Sequence, residues 1–186
     1  MRKFRRLACA SSALLLLASA GCGAIGFDVD QAIPEQRVVG NAVSPIAGLL
    51  PGFLQAPVPI NTDLRSETQK RNTGPATHAY LTSLTLSATP HGQAAGNFDF
   101  LTDVHVFVEA QTSTGLPRRE VATLAPVPKG QTTVTFTIVP DIDLLPYIQA
   151  HDNDPNTRAQ MTATANGTQP KMDFTYDGAI VINIRI

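Results

Sequence analysis

Apolar and polar positions alternate through most of residues 78–186, in short runs divided by turn residues. Tyr80, Thr82, Leu84, Leu86 and Ala88 share one phase of a strand that opens at His78, and Pro90-His91-Gly92 ends it with turn chemistry. Val104, Val106 and Val108 alternate with His105, Phe107 and Glu109 in a second strand over 100–110, and residues 120–124 form a short third. After Lys129-Gly130, Val134, Phe136 and Ile138 take one side of a strand over 132–139 while Thr133, Thr135 and Thr137 take the other. Aliphatic-in, threonine-out patterning is what an antiparallel sheet with one wet face requires. Met161 to Ala165 form another strand, closed by Asn166-Gly167, and Asp143 with Pro146 in the first turn predicts a short helix over 143–150.

The C-terminal segment tests register. Met172, Phe174 and Tyr176 precede Asp177-Gly178, and Ile180, Ile182, Ile184 and Ile186 follow. A two-residue turn there would put aromatics and isoleucines on opposite faces. A three-residue loop with Gly178 left-handed pairs Phe174 with Ile180 and Met172 with Ile182, and this is the predicted register.

Toward the N-terminus, Phe27-Asp28-Val29-Asp30 alternates as a half-buried strand does. Residues 44–60 are of another kind. Ser44-Pro45 is a helix start, and Ile46, Leu49, Leu50, Phe53 and Leu54 recur at the spacing of one helix face. Gly48, Pro51 and Gly52 limit any helix to one or two turns, since an interior proline costs about 3 kcal/mol. These five side chains are expected to plug one end of a β core, the alternative being a surface that meets lipid or a partner. Residues 61–74 read as a polar loop or short solvated helix. Together the pattern predicts a mainly β chain, an antiparallel β-sandwich of immunoglobulin-like architecture with one or two short helices, as a single domain over 27–186.

The first 21 residues belong to a different class. Arg2, Lys3, Arg5 and Arg6 precede an apolar run from Leu7 to Ala18, the charged and apolar regions of a secretory signal, too short for a membrane span. Ser19-Ala20-Gly21-Cys22 resembles the lipobox of bacterial lipoproteins, with Ser19 where that motif most often has a large aliphatic residue. Ala18-Ser19-Ala20 also fits ordinary cleavage before Gly21. Of the two cysteines, Cys9 lies inside the signal, so the mature chain would own a single thiol where a lipobox needs it. Lipidation removes the oxidation liability of that thiol. The resemblance implies a lipid anchor on Cys22, a tether over 22–26, and a cell-envelope location. In a Gram-negative envelope Gly23, which lacks the Asp of an inner-membrane retention signal, favours the outer membrane.

Charge changes once the signal is removed. Four of the 14 basic residues and none of the 15 acidic ones lie in it, so the mature chain has ten basic against fifteen acidic, a net −5. That excludes a basic field for nucleic acid, and leaves membrane attachment to the acyl chains.

Candidate chemistry is thin. There is no G-x-S-x-G, phosphate-binding G-x-x-x-x-G-K or H-E-x-x-H, and no cofactor motif. His78, His91, His105 and His151 are scattered, and His105 among strand valines reads as a satisfied or wet-face residue. Asp141, Asp143, Asp152, Asn153, Asp154 and Asn156 gather oxygen ligands of the kind calcium takes, at a spacing that matches no EF-hand. Turn and cap chemistry is the commoner use of such residues. Two function classes remain: a non-enzymatic envelope lipoprotein that binds a protein partner or serves structurally, and an envelope hydrolase whose carboxylates converge only in the fold.

Overall fold

A computed structural model describes residues 26–41, 47–50, 57–60, 62–89, 96–110, 114–153 and 159–186. The strands are β1 Gly26–Val38, β2 Ala47–Leu49, β3 Val58–Pro59, β4 His78–Thr89, β5 Leu101–Ala110, β6 Arg119–Leu124, β7 Thr133–Thr135, β8 Thr137–Ile138, β9 Ala159–Thr168 and β10 Phe174–Arg185. Helix α1 spans Leu64–Lys70 and α2 spans Leu145–Asn153. One sheet has the order β1-β10-β4-β7 and the other β2-β9-β5-β6-β8, with β3 also on β9, and every pairing is antiparallel. The chain is a mainly β, antiparallel sandwich with two short helices.

The core lies between the sheets and follows the period of two. Phe174, Tyr176, Ile180, Ile182 and Ile184 of β10 are buried, and Val104, Val106 and Val108 of β5 face them from the other sheet with Met161 and Ala165 of β9.

Four expectations are corrected. First, β10 is one continuous strand and no hairpin forms at Asp177-Gly178. Phe174, Tyr176, Gly178, Ile180, Ile182 and Ile184 already share one phase, so an unbroken strand buries the whole apolar set without a turn. Gly178 is needed for closeness, since a Cβ there would overlap the Thr85 carbonyl oxygen of β4 and crowd Leu86. Asn166-Gly167 likewise lies within β9, where a Cβ at Gly167 would meet the Phe100 carbonyl.

Second, β4 does not keep one phase. Its pairing with β10 skips Thr82, a β-bulge, so Ala79 and Leu81 are buried before it and Leu84 and Leu86 after it, while Thr82 is exposed. Third, residues 133–138 serve both sheets. Val134 of β7 pairs with β4 and Ile138 of β8 with β6, the chain crossing at buried Phe136.

Fourth, residues 47–49, expected to be helical, are extended and pair with residues 166–168 of β9. Gly48 takes φ +130°, a conformation outside any helix. The Leu50 N–H donates to the Ala165 carbonyl (2.9 Å), which continues the edge in place of a helical turn.

Pairing fixes the two ends of the sandwich. Gly26 lies opposite Arg185, which lies opposite His78; at the other end Val38 lies opposite Phe174, and Thr175 opposite Thr89. With 13 residues in β1 at about 3.3 Å each, the ends are roughly 40 Å apart. The helix α2 closes the Gly26 end, burying Leu145, Tyr147 and Ile148 beside Leu144, with the Tyr147 hydroxyl donating to the Pro117 carbonyl (2.6 Å).

Candidate functional site

At the end opposite Gly26, three loops meet over an aromatic cluster. Phe98 and Phe100 precede β5 and Phe174 opens β10. The Phe100 and Phe174 rings meet edge to face at 4.8 Å between centroids, and Phe98 meets Phe174 in the same way at 5.1 Å. Phe98 is fully buried, while Phe100 is half-buried and borders a cleft of about 560 Å³ that Gly96, Pro170, Met172 and Phe174 also line.

Backbone and side-chain hydrogen bonds fix the cleft's walls. The Asn41 N–H donates to the Pro170 carbonyl (2.8 Å), the Gln169 amide to the Val39 carbonyl (2.9 Å) and the Thr168 N–H to the Phe100 carbonyl (2.7 Å). Asp173 accepts from the Gly40 N–H (2.9 Å) and is bridged to Arg37. The Asp99 side chain accepts from the Gly130 N–H, and the Lys129 ammonium donates to the Asp99 and Leu101 carbonyls (2.8 and 3.2 Å). Beside these ties, Met172 is 80% exposed and Val39 60% exposed, the two large hydrophobic side chains that the described residues leave in water. The spacing of Met172 with Phe174 and Tyr176 reads as a hairpin strand, which hides this place; Pro170, two residues earlier, is the signal that a loop holds Met172.

Of the residues singled out from the sequence, several fall outside the described residues, and Asp141 and Asp143 line one small cleft. Leu50 is buried at 6% exposure within the core, Leu49 lies in β2, and Ile46, Phe53 and Leu54 fall outside the described residues. Cys22 also falls outside them. Asp141 is exposed in a left-handed turn at φ 61°, a conformation that Asp tolerates. Asp154 and the side chain of Asp152 lie outside the described residues. Among the described residues no three His, Cys, Asp or Glu side chains are placed to hold a metal.

Asp143 has structural work instead. Its carboxylate accepts from the Ala79 N–H (3.0 Å) and the Leu145 N–H (2.9 Å), and it bonds His78 Nδ1 (2.8 Å). Burial pushes this carboxyl up, but the Ala79 N–H, His78 and the Leu145 N–H outweigh it and hold the group below the ordinary aspartate value. A depressed folded-state value means stability present above the unfolded pKa of about 3.9 and lost as pH falls through the folded value. Asp143→Asn should therefore lower the melting temperature near pH 7, and the gap to wild type should close as pH drops below about 4. A gap that is the same at pH 3 and pH 7 contradicts this role.

His105 is half-exposed on the outer face of β5, bonded through Nδ1 to Glu120 (2.9 Å), with Asp103 3.7 Å from Nε2. On the same face Arg118 stacks over the Phe107 ring at 3.5 Å and pairs with Glu109.

No known family model matches the chain, and no curated protein is significantly similar to it. The functional reading therefore rests on the residues themselves.

Proposed function

We propose that this chain is a cell-envelope lipoprotein, anchored by lipid on Cys22, with a non-enzymatic binding role at the end of its sandwich turned away from the membrane. The observation that carries the binding role is the apolar cleft with Met172 and Val39 exposed beside it, at the end opposite Gly26. Exposed apolar groups gathered around one cleft are a common mark of an interaction site.

Gly26 opens β1 four residues after Cys22, a tether that reaches about 15 Å at roughly 3.3–3.6 Å per residue. The Gly26 end would thus sit near the headgroups and the cleft some 40 Å further out, where a partner in the envelope can meet it. The outer membrane is the proposed location in a Gram-negative envelope.

The clefts give less support to hydrolysis: in one of about 310 Å³, Asp63 accepts from the Ser66 N–H and Glu67 is paired with Lys70 and Arg71. Asp99 and Asp173 at the far end hold their own loops through hydrogen bonds and an ion pair. A smaller cleft of about 270 Å³ holds Asp141 and Asp143 with Arg119, and the Asp143 carboxyl is shifted down, the direction that weakens a general acid or base near neutral pH.

Cys22→Ser should move the protein from membrane to soluble fractions and abolish metabolic labelling with palmitate. An unlabelled wild type whose mature N-terminus is Gly21 would make this an ordinary secreted protein.

A further inference from the structure

We infer that the far-end cleft binds a single-chain anionic amphiphile, a medium-chain fatty-acid carboxylate, with the hydrocarbon against Phe100, Phe174 and Met172 and the carboxylate at Lys171. The inference deepens the proposed binding role and rests on it.

Four observations select this chemistry. The cleft's volume of about 560 Å³ lies within the roughly 300–1,000 Å³ of small-molecule sites. Its walls offer ring edges, a proline and a flexible, polarisable methionine, surfaces that fit a hydrocarbon of variable shape.

Its carboxylates are committed elsewhere. Asp173 takes the Gly40 N–H and Arg37, and Asp99 takes the Gly130 N–H, while the Gln169 amide donates to Val39. A sugar, nucleotide or peptide needs directional polar partners, and these groups are turned to the loops that they hold. A hydrocarbon body needs none.

Charge supplies the head group. Lys171 lines the cleft and makes no ion pair among the described residues. Lys129 adds a second ammonium at this end, bonded only to carbonyls, while Arg37 is matched by Asp173. Of the charges that line the cleft itself, Asp173 is matched by Arg37 and Asp99 is held by the Gly130 N–H, which leaves Lys171 to complement one carboxylate.

The test is calorimetry on the full mature chain carrying Cys22→Ser, titrated with dodecanoate below its micellar concentration and, in parallel, with dodecyltrimethylammonium. Dodecanoate should saturate a single site, and the cation of equal chain length should bind at least about tenfold more weakly. Met172→Asp should weaken dodecanoate at least about tenfold, since it places a carboxylate against the hydrocarbon path. Lys171→Glu should reverse the preference between the two amphiphiles. Met172 and Lys171 are exposed, so both variants should melt as wild type does, and a fall in melting temperature would itself contradict their placement. Absence of saturable dodecanoate binding, or binding that neither substitution changes, overturns the inference. Anchoring is read separately by palmitate labelling, so failure of the ligand and failure of the lipoprotein reading cannot be confused.

Discussion

Leu50→Ala is expected to cost about 2–5 kcal/mol of stability, the range for removing a buried leucine side chain and leaving a cavity. For a domain of this size that is a fall in melting temperature of roughly 2–4 °C per kcal/mol. Leu50 is 6% exposed, lies within the core, and its N–H donates to Ala165. A backbone bond to β9 and a side chain between the sheets hold the residue from two sides, so the cavity has little freedom to collapse. The measurement is a thermal melt of the mature chain carrying Cys22→Ser, with and without Leu50→Ala. An unchanged melting temperature would show that Leu50 belongs to a surface and would move the search for a binding site to residues 44–60.

Leu50 also shows what sequence spacing cannot decide. Its three and four spacing with Ile46, Phe53 and Leu54 fits a helix face, yet the backbone at 47–49 is extended. Spacing reports which residues are apolar and not what lies beside them, and an available edge on β9 outcompetes a helix already weakened by Gly48 and Pro51. Burial at Leu50 follows from either conformation. Val104, Val106 and Val108 were legible for the opposite reason, since the middle of a long strand with partners on both sides keeps its period of two from Val104 to Val108. The bulge at Thr82 and the crossing at Phe136 were not, because each depends on where a neighbouring strand ends.

The candidate site was less legible than the fold. Phe100 and Phe174 are far apart in sequence and become neighbours only when β5 and β10, in different sheets, close over one another. Nothing local to either residue marks it as cleft lining. Met172 stands in water because Pro170 accepts from Asn41 and Asp173 from Gly40, two long-range contacts that set the loop's path. Asp143 was legible as a helix-start residue, and its second use, accepting the Ala79 N–H, appears only with β4 beside it.

Gly178 separates the two architectures that the C-terminal sequence allows. In a hairpin loop Gly178 would be left-handed, where asparagine is well tolerated and alanine is not. In β10 it lies opposite Leu86 of β4 and Ile33 of β1, in a strand flanked on both sides, and its φ is not positive. An added Cβ there meets the Thr85 carbonyl oxygen and the Leu86 side chain, and the backbone oxygen cannot rotate away. Gly178→Ala should therefore destabilise by about 3 kcal/mol, the upper part of the range for overpacking, and Gly178→Asn should be worse because the larger side chain starts from the same blocked Cβ. The order of melting temperatures decides the matter: glycine, then alanine, then asparagine if residues 174–185 form one strand. Asparagine melting above alanine would restore the hairpin, and with it a strand position for Met172 that would remove the exposed lip of the cleft.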